Sequence, residues 1–214
     1  MMMDYYPVFL KLNNQPCVVV GGGEVALRKV FTLREYGAHV TVISPEISPE
    51  MERMGSSGEI AVLKRAYHEG DLAGAFLTIA ATDDKEINYA VSAEARRCRC
   101  LVNVVDDGEN SDFIVPSIMK RGDITVAVST GGRSPALARK LRLHLEEVLG
   151  DEYSKLLDIV AEVRVELLEK GMRVGGSAWH EALNIPELIG LLKTGNHSKA
   201  KAIILENLQK KAKE

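Results

Sequence analysis

The triplet Gly21-Gly22-Gly23 closes a short apolar run, residues 17–20, and a helix-like pattern opens at once with Glu24 and Val25. Gly21, Gly23 and Ala26 fall at the three positions of a G-x-G-x-x-A pattern. Between a strand and a helix, that spacing reads as a dinucleotide-binding turn. Gly21 makes the turn, Gly23 lets the backbone approach a pyrophosphate with no Cβ in the way, and Ala26 permits close helix–strand packing. Free N–H groups at the helix start, those of Glu24 and Val25 among them, and its positive dipole end would hold the phosphates. The plain alternative is a glycine turn used only for packing.

Other residues stand where an open α/β sheet gathers its ligands, beyond the carboxyl ends of the strands. Ser44-Pro45 ends a second apolar run, and Glu46 follows. An Asp or Glu often binds the ribose hydroxyls here, about 20 residues past the glycines. This chain offers Ser44 instead. No Arg or Lys lies in residues 44–51 to receive a 2′-phosphate, although Arg53 is near. The cofactor expected is therefore NAD rather than NADP. Thr82 and Asp83 end a third such strand, where they line the cofactor cleft through the backbone, cap a helix, or both. Asp106 ends another and points at the same cleft. Its bland alternative is a turn or N-cap aspartate, and neighbouring Asp107 reads as a turn residue.

Those positions need a particular scaffold. Residues 17–20, 39–43, 60–63, 75–81 and 101–105 read as strands, with helices over 24–36 and 85–97 and a short one opening at Ser48-Pro49. The run 75–81 has almost no polar alternation, as a strand buried on both faces requires. Residues 7–12 read as strand-like. Val25, Leu27, Val30, Phe31 and Leu33 are expected to bury one stripe of the first helix, and Gly37 to end it. The alternation predicts an α/β, Rossmann-like doubly wound parallel sheet over residues 1–112.

The pattern changes near Asp112. Runs 113–119 and 123–129, joined by Lys120-Arg121-Gly122, have no helix between them and should pair antiparallel. A helix over 135–149, capped by Ser134 with Pro135 at its first position, carries Leu137, Leu141, Leu145 and Val148 on one face. Two strands are too few to stand alone, and little nearby core can cover that stripe. Residues 113–150 are thus expected to form a small α+β dimerisation segment, paired with a second copy about a two-fold axis. Residues 151–214 read as a C-terminal helical domain: a helix over 152–170, a second over 177–192 disturbed by Pro186, and a third from Asn196 to Lys213.

Composition narrows the function further. The chain has 214 residues, a net charge of −3 and only 5% aromatics, which argues against nucleic acid and anionic membrane as partners. No apolar run approaches a membrane span. Met1-Met2-Met3-Asp4 is no signal peptide, so a cytoplasmic location is expected. Cys98 and Cys100 alternate with arginines, and His39, His68, His144, His180 and His197 are scattered, so no metal site is expected.

Further stretches carry a family resemblance. They are Pro7-Val-Phe-Leu10, Val20-Gly-Gly-Gly-Glu-Val-Ala26 with Arg28-Lys29, Ala80-Ala-Thr-Asp-Asp84, Asn103-Val-Val-Asp106, Phe113-Ile-Val-Pro-Ser117 and residues 126–135, Val-Ala-Val-Ser-Thr-Gly-Gly-Arg-Ser-Pro. Over residues 5–150 the chain resembles the precorrin-2 dehydrogenase family, which includes the N-terminal region of sirohaem synthase. The resemblance implies NAD-dependent oxidation of precorrin-2 to sirohydrochlorin by a homodimer, with Asp106 as the catalytic carboxylate. It also implies a cationic pocket for a polycarboxylate tetrapyrrole, for which Arg28, Lys29, Arg133 and Arg139 are the candidates, with Lys140 and Arg142 nearby. Some members also insert iron. With Asp106 the one carboxylate placed by a motif, a dedicated dehydrogenase is expected here. Thr130 stands where a bacterial branch carries a phosphorylatable serine. The alternative class is an NAD-sensing regulatory module, which explains the glycine turn but neither residues 103–106 nor the Gly131-Gly132 loop with its basic helix.

Overall fold

The computed structural model describes residues 5–211. By internal contacts the chain divides into two compact units, between Val115 and Pro116.

The first unit is built on a five-stranded parallel sheet in the order β3-β2-β1-β4-β5. Its strands are β1 (Pro16–Val20), β2 (His39–Ile43), β3 (Ala61–Leu63), β4 (Leu77–Ala80) and β5 (Leu101–Val104). Its helices are α1 (Glu24–Glu35), α2 (Pro49–Ser56) and α3 (Lys85–Cys98). Alternation along β1 explains the layering. Cys17 and Val19 face a core shared with Val30 and Leu33 of α1 and Met51 and Met54 of α2. Val18 and Val20 face the opposite core, with Val91 and Ala95 of α3. Helices thus cover both faces, as a parallel sheet requires. Strand order reverses between β1 and β4, and that switch point is where an open α/β sheet offers its crevice.

Several local expectations are corrected. Residues 7–12 form no strand; Val8, Phe9 and Leu10 are exposed and only Leu12 packs on the core. The buried face of α1 is Ala26, Val30 and Leu33, while Val25 and Phe31 are exposed. The helical period places Ala26, not Val25, in line with Val30 and Leu33. Gly37 does follow the helix in a left-handed conformation, with φ +76°.

In the second unit, β6 (Ser117–Arg121) and β7 (Ile124–Val128) form an antiparallel hairpin. Lys120 and Arg121 belong to β6 rather than to the turn, and residues 113–116 are not strand. The helix α4 (Pro135–Val148) packs on both strands. Its N-cap is Ser134, whose hydroxyl accepts from Leu137 N. Arg121 closes the other end: its Nε donates to Leu149 O and its guanidinium to Glu146 O, both at 3.2 Å. These bonds satisfy carbonyls that the helix end leaves without internal partners. Then come α5 (Asp151–Glu169), α6 (Gly176–Ala182), α7 (Ile185–Lys193) and α8 (His197–Lys211). The expected helix over 177–192 is two helices, because Pro186 sits in the first turn of α7, where its missing N–H costs nothing. The expected end at Lys213 lies outside the described residues. Leu156, Val163, Leu188, Ile204 and Leu208 make the core of this bundle.

One packing contact positions the site. A Cβ added at Gly22 would lie 1.7 Å from Glu46 O, so the β2–α2 loop rests directly on the glycine backbone. Ser48 N also donates to Gly22 O at 3.0 Å. Gly22→Ala is expected to destabilise the protein by about 2 kcal/mol or more, since backbone must move to relieve the overlap. Thermal denaturation followed by circular dichroism checks this; an unchanged midpoint would contradict the packing account.

Candidate functional site at the carboxyl edge of the sheet

The three glycines of the β1–α1 turn do different things. Gly21 adopts φ +131°, and a Cβ there would meet Ala81 O at 2.3 Å. It lets β1 and the chain leaving β4 come together. Gly22 receives the β2–α2 loop. Gly23 faces open space, since an added Cβ would have no neighbour within 4 Å. Gly23 is also the N-cap of α1, which has no side-chain cap. The first intrahelical bond is Leu27 N to Gly23 O, which leaves the N–H groups of Glu24, Val25 and Ala26 without a backbone partner among the described residues. Bare donors at the positive end of a 12-residue helix, beside a glycine with free space, fit the pyrophosphate of a dinucleotide.

The neighbouring strand ends supply the rest. Ser44, at the end of β2, is 9% exposed and its hydroxyl holds no partner among the described residues. It is free to meet a ribose hydroxyl. Pro45 and Glu46 are exposed beside it. Arg53 is occupied by Glu50, Lys64 by Glu52 and Arg65 by Asp71. No cation of that group is left over for a 2′-phosphate.

Beyond β4, Thr82 is locked by Asn88. Asn88 Nδ2 donates to Thr82 O and its Oδ1 accepts from Thr82 Oγ1, both at 2.9 Å. The helix cap is Asp84, which accepts from Glu86 N and Ile87 N. Asp83 is exposed with no cap to make. Asn88 was not singled out from the sequence. A lone Asn six residues past Thr82 gives no local signal, and only the turn brings the two together.

Asp106 follows β5 in a left-handed conformation, φ +60°, which Asp tolerates better than most residues. It is exposed and holds no hydrogen bond or ion pair among the described residues. Asp107 is instead a turn residue, its carboxylate taking Asn110 N and Asn110 Nδ2. Those bonds, the side-chain one first, hold its pKa below the usual carboxylate value. Lys29 on α1 is half-buried and within Coulombic reach of Asp106. Arg28, next to it, is exposed. Gly21, Gly22, Gly23, Glu24, Val25, Ser44, Pro45, Thr82, Asp83, Arg28, Lys29 and Asp106 all belong to the first unit.

Arg133 and Arg139 belong to the second unit. Both are exposed, and neither they nor Lys140 hold a carboxylate among the described residues. Arg142 is taken by Glu146. The loop before α4 is internally bonded: Thr130 Oγ1 donates to Ser134 O and accepts from Ser134 N, each at 3.0 Å. Both roles of that hydroxyl are in use. Among the described residues no group of three His, Cys, Asp or Glu side chains is arranged to hold a metal ion. None of the described helices is long and apolar enough to cross a membrane.

This architecture has known relatives. A family model described as putative NAD(P)-binding matches residues 8–117. A second, described as the central part of a sirohaem biosynthesis protein, matches residues 121–147. A siroheme synthase of Methylobacillus flagellatus is 48% identical over 162 residues, covering 76% of this chain and 35% of that protein. A siroheme synthase of Psychromonas ingrahamii is 38% identical over 208 residues, covering 96% of this chain and 44% of that protein. The chain therefore spans less than half the length of these curated relatives. Among solved structures, "SirC, precorrin-2 dehydrogenase" superposes with a TM-score of 0.69 at 25% identity, covering 96% of this chain and 100% of that one. With the glycine cradle in place and the matching model extending over all five strands, the chain belongs to the putative NAD(P)-binding family, in the form that continues into a sirohaem biosynthesis central segment.

Proposed function

We propose that this chain oxidises precorrin-2 to sirohydrochlorin with NAD. The observation that carries the reading is the bare N-terminus of α1 at Gly23, at the same sheet edge as an unpartnered carboxylate, Asp106. Likeness to siroheme synthases and to a precorrin-2 dehydrogenase supports it. Bound NAD would accept the hydride. The chain's own residues would do the rest. The N–H groups of Glu24 and Val25 hold the pyrophosphate, Ser44 and the backbone at Pro45 meet the ribose, and the backbone at Thr82 and Asp83 borders the nucleotide. Asp106 takes the proton that must leave the substrate as the hydride departs. Arg28 and Lys29 in the first unit, and Arg133 and Arg139 in the second, are the cations proposed for the substrate's carboxylates. The working division is residues 1–112 for the nucleotide, 113–150 for pairing with a second copy, and 151–214 as a helical domain. The three described cysteines are unpaired, in keeping with the reducing cytoplasm we assign as the compartment.

Gly23→Val separates binding from folding. Gly23 has φ −83° and free space, so a side chain fits the fold but enters the cradle. Its thermal midpoint should stay within a few degrees of wild type, because the N-cap supplies only about 1 kcal/mol. NADH affinity, read by fluorescence titration, should fall roughly tenfold or more. The wild type should bind NADH more tightly than NADPH. Equal binding of NADH by Gly23→Val and wild type would place the nucleotide elsewhere.

Supplying precorrin-2 and NAD anaerobically should give NADH absorbance and a sirohydrochlorin spectrum. In Asp106→Ala the rate should fall roughly a hundredfold or more, the loss typical of a general base. With sirohydrochlorin and ferrous or cobaltous ion, metal insertion should barely exceed the enzyme-free rate in either protein. Fast insertion by the wild type that Asp106→Ala loses would assign one carboxylate to both reactions. Binding of NADH without turnover of, or affinity for, the tetrapyrrole would favour a sensor module instead.

The dimer rests on α4. Of the expected face, Leu137, Leu141 and Val148 are exposed while Leu145 is partly buried; Leu143 is exposed as well, and Ala138 is the one buried residue of the helix. Burying such side chains contributes about 1.5–3 kcal/mol each. Sedimentation at micromolar concentration should show twice the 23.4 kDa chain mass, and Leu137→Glu with Leu141→Glu should return a monomer. A wild type that sediments as a monomer throughout would remove this assignment.

A further inference from the structure

Asp106 sits in a tight turn that a single hydroxyl holds from both sides. β5 is the last strand of its sheet, so one of its edges has no neighbouring strand. Residues 107–112 fold back along that edge. Asp112 N donates to Val102 O at 2.8 Å, and the Asp112 carboxylate accepts from Val102 N at 3.1 Å. Two residues further along β5, Ser111 Oγ accepts from Val104 N at 2.9 Å. The same hydroxyl donates to Asp107 O at 2.6 Å, with Val104 O in reach at 3.2 Å. Asp107 N closes the turn onto Val104 O at 3.2 Å. Val105 and Asp106 are thus the two central residues of the turn, and Ser111 bonds the residue before them and the residue after them.

The rest of the loop is tied down as well. Asn110 holds the Asp107 carboxylate through its backbone N–H and its side-chain amide, at 3.1 and 2.7 Å. Ser92, buried on α3, donates to Asn110 O at 2.9 Å. Asp106 itself has φ +60°, at the turn position that favours glycine or asparagine. A side chain kept in such a conformation persists where its surroundings over-determine it, and such positions cluster at functional sites. Among the described residues nothing bonds the Asp106 carboxylate, so its aim depends on the backbone that carries it.

We infer that Ser111 is a positioning residue for Asp106, its hydroxyl fixing the turn so that the carboxylate meets the proton it must take from the substrate. The inference rests on the dehydrogenase reading above. The simpler role for Ser111 is to cover the open edge of β5. That role explains the bond to Val104 N but not the bond across the turn to Asp107 O. A general base must first be in reach of its proton, and a displacement of about 1 Å can cost a hundredfold in rate.

Steady-state kinetics of the full chain with precorrin-2 and NAD test this, at a temperature where each variant is folded. Ser111→Ala should lower kcat roughly tenfold and leave KM for precorrin-2 and affinity for NADH within about twofold, the pattern of a lost transition-state alignment. Ser111→Thr keeps the hydroxyl and should recover most of the rate. Because Ser111 acts through Asp106, adding Ser111→Ala to Asp106→Ala should cost less than about twofold more. A kcat for Ser111→Ala within about threefold of wild type, or the same tenfold loss in the Asp106→Ala background, would overturn the inference and leave Ser111 as a cover for β5. Should Ser111→Ala not fold, Asn110→Ala releases the Asp107 carboxylate and leaves β5 its bonds. It should then lower kcat in the wild type and not in Asp106→Ala; an unchanged kcat, or equal losses in both, would overturn the inference just as well. A wild type inactive on precorrin-2 would remove the dehydrogenase reading itself, whereas an active one that Asp106→Ala impairs and Ser111→Ala does not would remove only the role of Ser111.

Discussion

The site depends on how closely three backbone segments approach one another at the end of β1. Ala81 O sits where a Cβ of residue 21 would be, and Glu46 O where a Cβ of residue 22 would be. Only glycine allows both approaches. Together they bring the ends of β1, β2 and β4 to one edge and set the start of α1 above it. Neither contact involves a ligand. The third glycine faces open space and is the one whose missing side chain leaves room for a phosphate. The triplet thus divides its labour: two positions assemble the edge, and one leaves it open.

Charge follows a similar division. The chain is acidic overall, with a net charge of −3, and many of its cations are spent on neighbours. Arg53, Lys64, Arg65, Arg97 and Arg142 each face a carboxylate. Exposed pairs of this kind add little stability, but they remove cations from the surface available to a ligand. Arg28, Lys29, Arg133, Arg139 and Lys140 remain uncommitted among the described residues. Which cations are spent could not be read from spacing, because most of the pairs join residues that the fold, not the sequence, makes neighbours.

The second unit shows a different economy. The helix α4 presents apolar side chains outward, while Arg121 ties the hairpin to its carboxyl end through Glu146 O and Leu149 O. Those hydrogen bonds join the hairpin to a helix whose leucine face the described residues leave exposed. The helices from α5 onward have their own core and do not depend on that surface for burial.

Much of this was legible in the sequence. Hydrophobic period and turn residues predicted five parallel strands, their helices, the hairpin, the helix start at Ser48-Pro49 and Ser134 as a cap, because those signals are local and act within a few residues. The order of strands, with its reversal between β1 and β4, required the tertiary structure, since pairing joins residues far apart in the chain. The errors have the same origin. Residues 7–12 look like a strand but find no partner, and Val25 and Phe31 look like core but fall outside the arc that the sheet covers. Of the candidate site, the glycine turn and the strand ends could be named in advance. The locking of Thr82 by Asn88 and the approach of Glu46 to Gly22 could not, because each depends on where the fold brings side chains and carbonyls that no spacing rule connects.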